Sequence, residues 1–179
     1  MAFGNMKAQQ SPYFATGDPE TEEMTTLYAP GMLGCVSQFD RGGISGPQNV
    51  CTYQLVLMAA FVTLVGQVMT WSDKGNWTVT NQVPTNGNVA GICEKVIAAS
   101  SYFWVVKKGD RPILYVDAPT VAPSLLGLPV VQSNATAGKA NCLAKSETQA
   151  AFPLLGTSFG TQDGTTKRGT VRLNLVDQY

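Results

Sequence analysis

Residues 101–117 read Ser101-Tyr-Phe-Trp-Val-Val-Lys-Lys-Gly-Asp-Arg-Pro-Ile-Leu-Tyr-Val-Asp117, and the alternation inside this stretch decides the class of the fold. In extended chain Tyr102, Trp104 and Val106 fall on one face and Phe103 and Val105 on the other, the period of two expected of a strand. A strand is predicted over 101–107 and a second over 111–117. The same period returns at Thr170-Val-Arg-Leu-Asn-Leu-Val176, where Val171, Leu173 and Leu175 oppose Arg172 and Asn174.

Outward from these two segments, short β-rich runs alternate with turn formers, which predicts further strands near 51–58, 61–70, 76–81, 88–97, 128–132, 139–144 and 169–176. The 18 glycines and 10 prolines, with many threonines and valines, work against helix. A short helix around Ser146–Ala151 is the one helical expectation. Many short strands with regular turn punctuation indicate an all-β protein, a small β-barrel or β-sandwich.

The first 31 residues differ from the rest. Pro12, Pro19, Pro30, Gly4, Gly17 and the acidic run Asp18–Glu23 carry no apolar period, so residues 1–31 are expected to be an extended N-terminal arm that stays mobile or orders on a neighbour. Residues 32–179 are expected to form one β-rich domain, with a loop over Asp40–Asn49 ahead of the first convincing strand.

Lys plus Arg and Asp plus Glu number 12 each, and charged residues are only 13% of the chain. A nucleic-acid binder needs a concentrated basic surface, so no nucleic-acid partner is expected. With 44% hydrophobic residues and so little charge, much of the surface is expected to meet another protein, in an oligomer or an assembly. Residues 1–90 hold three basic and six acidic groups and residues 91–179 nine and six, so the front is mildly acidic and the back mildly basic.

The uncharged run Val50–Met69 is long enough to cross a bilayer. Gln54, Gln67, late glycine and threonine interruptions, the absence of flanking basic clusters and a β-branched, aromatic content make buried strands the better reading, with no membrane expected. The opening residues lack the layout of a secretory signal, so the product is expected to be made inside the cell.

Chemistry is sparse. No histidine is present, which removes histidine triads and histidine-ligated zinc. Cys35, Cys51, Cys93 and Cys142 stand 16, 42 and 49 residues apart, a spacing of no zinc or CxxC motif, and are expected to be buried thiols. Ser146 beside Lys145, and Asp110 with Asp117, are the remaining pairs that acid–base chemistry could use, but adjacent strand residues face apart and turn carboxylates are solvated. Gly156-Thr-Ser-Phe-Gly160 lacks the spacing and the lysine of a phosphate loop, so its glycines are expected to serve a turn or bulge. Asp163-Gly is expected to turn the chain into the last strand, leaving Lys167 and Arg168 solvated. Asn76-Trp-Thr78 and Asn134-Ala-Thr136 match the glycosylation pattern without a secretion signal to support it. Trp71, Trp77 and Trp104 could stack on sugars, with core packing the default. No enzyme is expected, and no catalytic, cofactor-binding or metal residue.

The succession Val89-Ala-Gly-Ile-Cys-Glu-Lys-Val-Ile-Ala-Ala-Ser-Ser-Tyr-Phe-Trp-Val-Val-Lys-Lys-Gly109, followed by Ile113-Leu-Tyr-Val-Asp117, resembles a segment of the head decoration (cement) proteins of tailed bacteriophages. In that family a strand ending in glycine, an aliphatic and a small residue leads to a turn, an aromatic strand, a glycine turn and a short hairpin return. Ser101 stands here where the family often has glycine, and Phe103 replaces the glycine between tyrosine and tryptophan. The resemblance continues through Leu128-Pro-Val-Val-Gln-Ser-Asn-Ala-Thr-Ala-Gly-Lys-Ala140, Leu155-Gly-Thr-Ser158 and Gly169–Leu175, covering about residues 88–176. It implies a small β-barrel or sandwich, commonly a homo-trimer, on the outer surface of the virion's icosahedral head, where it stabilises the capsid by bridging subunits of the major capsid protein. The alternative is a phage fibre-base or host-recognition module that binds surface glycans.

Overall fold

The computed structural model describes residues 23–27, 32–40, 50–59, 64–82, 88–125, 127–145 and 154–175. The expected arm apart from residues 23–27, the loop after Asp40 and the helix expected around Ser146–Ala151 lie outside the described residues. Within them every regular element is a strand: β1 (Glu23–Met24), β2 (Val36–Asp40), β3 (Val50–Met58), β4 (Val68–Asp73), β5 (Thr78–Thr80), β6 (Val89–Cys93), β7 (Tyr102–Leu114), β8 (Pro129–Gln132), β9 (Ala140–Cys142), β10 (Leu154–Ser158) and β11 (Arg168–Asn174). The fold is all-β, as the alternation predicts.

Pairing runs β2-β3-β5-β4-β6-β7-β11-β10-β8-β9, and β7 also pairs with β3. That last pairing closes β3, β5, β4, β6 and β7 into a five-stranded barrel. Only the β3–β5 contact in this ring is parallel. The interior is filled from every strand of the ring: Val56, Met58, Met69, Val79, Ala90, Cys93, Phe103 and Val105, with Ile97. Closure leaves no free sheet edge inside the ring.

β7 outruns the barrel. Its first half pairs with β3, and its second with β11, from Lys108↔Asn174 to Leu114↔Arg168. β11, β10, β8 and β9 thereby form a second layer over the outside of the barrel. Between the layers lies an outer core: Cys51, Tyr53, Leu55, Val68, Ile92, Trp104 and Val106 from the barrel wall, against Val130, Ala140, Cys142, Leu155, Val171 and Leu173. The predicted faces hold, since Trp104 and Val106 enter the outer core and Phe103 and Val105 the barrel. β3 is buried on both faces for the same reason, which explains why Val50–Met58 carries no charge. No helix among the described residues is long and apolar enough to cross a membrane.

Three sequence expectations need correction. The strands expected at 101–107 and 111–117, with a glycine turn between them, are one strand. The alternation slips by one residue at Lys107, a bulge between the Val106–Tyr53 and Lys108–Thr52 pairs, and the pairing to β11 then runs unbroken from Lys108 through Gly109 to Leu114. Trp104 and Val106 before the bulge and Ile113 and Tyr115 after it consequently share the outer core.

Of the strand expected over 61–70, residues 61–63 lie outside the described residues and residues 64–67 are not strand, so that β4 starts at Val68. Ahead of it Gly66, at φ 84°, makes a turn whose N–H donates to the Cys93 carbonyl at 2.6 Å and whose carbonyl accepts from Leu114 N–H at 2.7 Å. The sequence does not predict β2, because its pattern is inverted: Val36 is 50% exposed while Ser37 is buried.

Candidate functional site

Part of the stretch expected as a free arm is fixed to the body. Glu23 and Met24 pair with Phe103 and Tyr102 at the start of β7. Met24 is buried in the outer core, and Leu27 packs against that core. The Glu23 carboxylate accepts from Ala98 N–H at 2.9 Å and lies 3.4 Å from Lys95 Nζ. The Ala98 N–H is the main reason its pKa lies below the ordinary glutamate value, with Ser101 and Lys95 adding to it against a smaller effect of burial. An extended segment with one apolar side chain and one carboxylate held this way is anchored by packing and hydrogen bonding together.

Two ionic groups brace β7 from opposite faces. Glu94, whose side chain is 3% exposed, accepts from Arg111 Nε at one oxygen and from the Tyr53 hydroxyl at the other, the latter at 2.9 Å. This trio ties β3, the end of β6 and β7 together at the outer core. On the other face Asp110 accepts from Arg172 Nε at 2.8 Å and from Nη2 at 3.1 Å, a two-point carboxylate–guanidinium contact. Arg172 also lies 4.7 Å from the Phe159 ring centroid, and Asp110 raises its pKa.

Asp110 is therefore a structural partner of Arg172. Asp117 meets Lys139 Nζ at 3.1 Å. Ser146 lies outside the described residues, so its pairing with Lys145 has no described geometry. Gly156 stands at the register shift between β10 and β8, the bulge its sequence suggests. Asp163 turns the chain between β10 and β11, accepting from Thr165 N–H, Thr166 N–H and the Thr166 hydroxyl, and these bonds lower its pKa. Arg168, expected to be solvated, instead donates from Nε to the Val65 carbonyl at 3.2 Å.

Cys51, Cys93 and Cys142 are buried as expected, and Cys35 is half-buried. Burial pushes the Cys35 and Cys142 thiols up. Among the described residues no three histidine, cysteine or acidic side chains converge as a metal site would require.

The tryptophans are engaged in packing. Trp104 is buried in the outer core. Trp71 rests against the barrel-interior cluster and meets Trp77 edge to face, with centroids 5.7 Å apart. Trp77 adopts φ 52°, rare for a bulky side chain, and its indole sits so close to Gly34 that a Cβ there would be 2.4 Å from Cε2. Asn76 and Asn134 both lie in exposed turns.

The Glu23 anchor and the Glu94–Arg111–Tyr53 trio are absent from the sequence reading. A faint signal exists for the first, in the apolar Met24 that ends the acidic run. For the second there is none, because its members lie 41 and 17 residues apart. Comparison with known proteins adds nothing to this geometry: no family model, no curated protein and no solved structure matches the chain.

Proposed function

We propose that this chain is a capsid decoration protein of a tailed bacteriophage, bound as a homo-trimer to the outside of the icosahedral head and bridging major capsid subunits. The observation that carries the reading is the anchor at Glu23–Met24. A body that pairs Glu23 and Met24 with β7 gives the acidic stretch of sequence before them a defined attachment, which supports a role for that stretch in reaching across a subunit boundary. The resemblance over residues 88–176 supports it, and those residues contribute the strands from β6 to β11.

Six large apolar side chains, Val36, Val50, Leu64, Val96, Leu125 and Leu154, are between 46% and 71% exposed, which is consistent with a surface that meets protein. The mechanism is linkage. A protein that binds the assembled lattice and not free subunits stabilises the lattice, by about 2.7 kcal/mol per site when its free concentration is 100 times Kd. The glycan-binding alternative has less support, since Trp71 and Trp77 are spent on each other, on Gly34 and on the barrel.

Cosedimentation with mature and with undecorated heads tests the proposal. The expected result is saturable binding to undecorated heads at a copy number comparable with that of capsid subunits, abolished by deleting residues 2–22 while the body stays folded. Absence of binding, or a handful of copies per head, would overturn it. The deletion stops at 22 because Met24 belongs to the core.

A further inference from the structure

Among the described residues, three polar atoms inside the outer core have no hydrogen-bond partner: the Tyr115 hydroxyl, and both the nitrogen and the oxygen of the Gln132 amide. Both side chains are sealed from solvent, Tyr115 at 0% exposure and Gln132 at 1%. Buried polar atoms in folded proteins are nearly always paired, with protein or with ordered water. Three orphans joined through a single neighbour call for a common explanation.

Their neighbour is Ala140. Gln132 of β8 is its register partner on one side, and Tyr115, just past β7, bridges to it on the other. Val116 N–H donates to the Ala140 carbonyl at 2.9 Å along the same seam. Residues in register point to the same face of a sheet, and Ala140 with Cys142 faces the outer core. Tyr115, Ala140 and Gln132 therefore form one row on the core side, with the shortest side chain between two long polar ones.

We propose that this row is a binding site for internal water, held above the Ala140 methyl by the Gln132 amide and the Tyr115 hydroxyl. The chemistry matches in number and sign. The amide supplies a donor and an acceptor and the phenol can act as either, which gives the two to four partners that a buried water requires. All three atoms belong to neutral groups, so the row offers no compensating charge to an ion. Burial, with a smaller effect from Cys142, raises the Tyr115 pKa well above the ordinary tyrosine value and keeps the phenol protonated. This inference is independent of what the chain binds.

The test uses the full-length protein in water. Water-to-protein nuclear Overhauser cross-peaks of a long-lived molecule are expected at the Gln132 side-chain amide protons and at the Ala140 methyl, and the Ala140 cross-peak is expected to disappear in Gln132→Met, which leaves that methyl in place. The same substitution is expected to lower the melting temperature, because it removes the water's hydrogen bonds. Absence of the cross-peaks in the wild type would overturn the proposal, and so would a Gln132→Met variant that melts as high as the wild type or higher, the result for an amide that is truly unpaired. If Gln132→Met does not fold, Tyr115→Phe, which removes only the hydroxyl, replaces it: the cross-peaks should weaken and the melting temperature fall, and a variant that shows neither change would overturn the site.

Discussion

The barrel interior and the outer core share strands β3, β4, β6 and β7, yet they are built from different chemistry. The interior cluster is apolar and drawn from the stretch between Val56 and Val105. The outer core gathers residues from Met24 to Leu173 and surrounds the Tyr53–Glu94–Arg111 trio and the buried polar side chains of Tyr115 and Gln132. A core assembled from neighbouring strands is kept in register by pleat alternation and volume. A core assembled across the whole chain must overcome more loop-closure entropy, and directional polar contacts there specify which strand meets which.

The largest expected effect tests the apolar half of that contrast. Phe103→Ala empties part of the barrel and should cost about 3–5 kcal/mol, read as a lower urea midpoint at unchanged slope. A cost under about 1 kcal/mol would break the claim that the ring encloses a packed core.

Next comes the polar half. Glu94→Ala leaves the Arg111 guanidinium, 12% exposed, without its carboxylate and should cost about 3 kcal/mol. The double replacement Glu94→Leu with Arg111→Met should cost clearly less than the sum of the two single changes. Simple additivity would show that the trio does not act as a unit.

A smaller effect is expected at the anchor. The Glu23 pKa is lower in the folded chain than in the unfolded one, chiefly through Ala98 N–H. Its contribution is therefore complete above the unfolded glutamate value and is lost as pH falls through the lowered folded value. Acidification into that range should expose the segment around Glu23 to protease before the barrel unfolds, and Glu23→Gln should remove the pH dependence of that cleavage. Cleavage with the same acid dependence in the variant would reassign the effect to another group.

The smallest effect belongs to the surface. Lys139→Ala breaks a contact with an Asp117 side chain that is 75% exposed and should change stability by less than about 0.5 kcal/mol.

The β class, the two faces of Tyr102–Lys107, the closing strand near 170 and the buried cysteines follow from the sequence alone, because side-chain alternation and turn chemistry act over a few residues. The lack of histidine likewise restricts the chemistry through composition alone. Tertiary structure decided the rest. That Tyr102–Leu114 is a single strand depends on β11 pairing across Gly109. That Val50–Met58 carries no charge reflects its place as a wall between two cores. Ala98 receives the Glu23 carboxylate from 75 residues away. Contacts at such separations are selected by the closure of the whole sheet, and no local window of sequence contains the free energy that selects them.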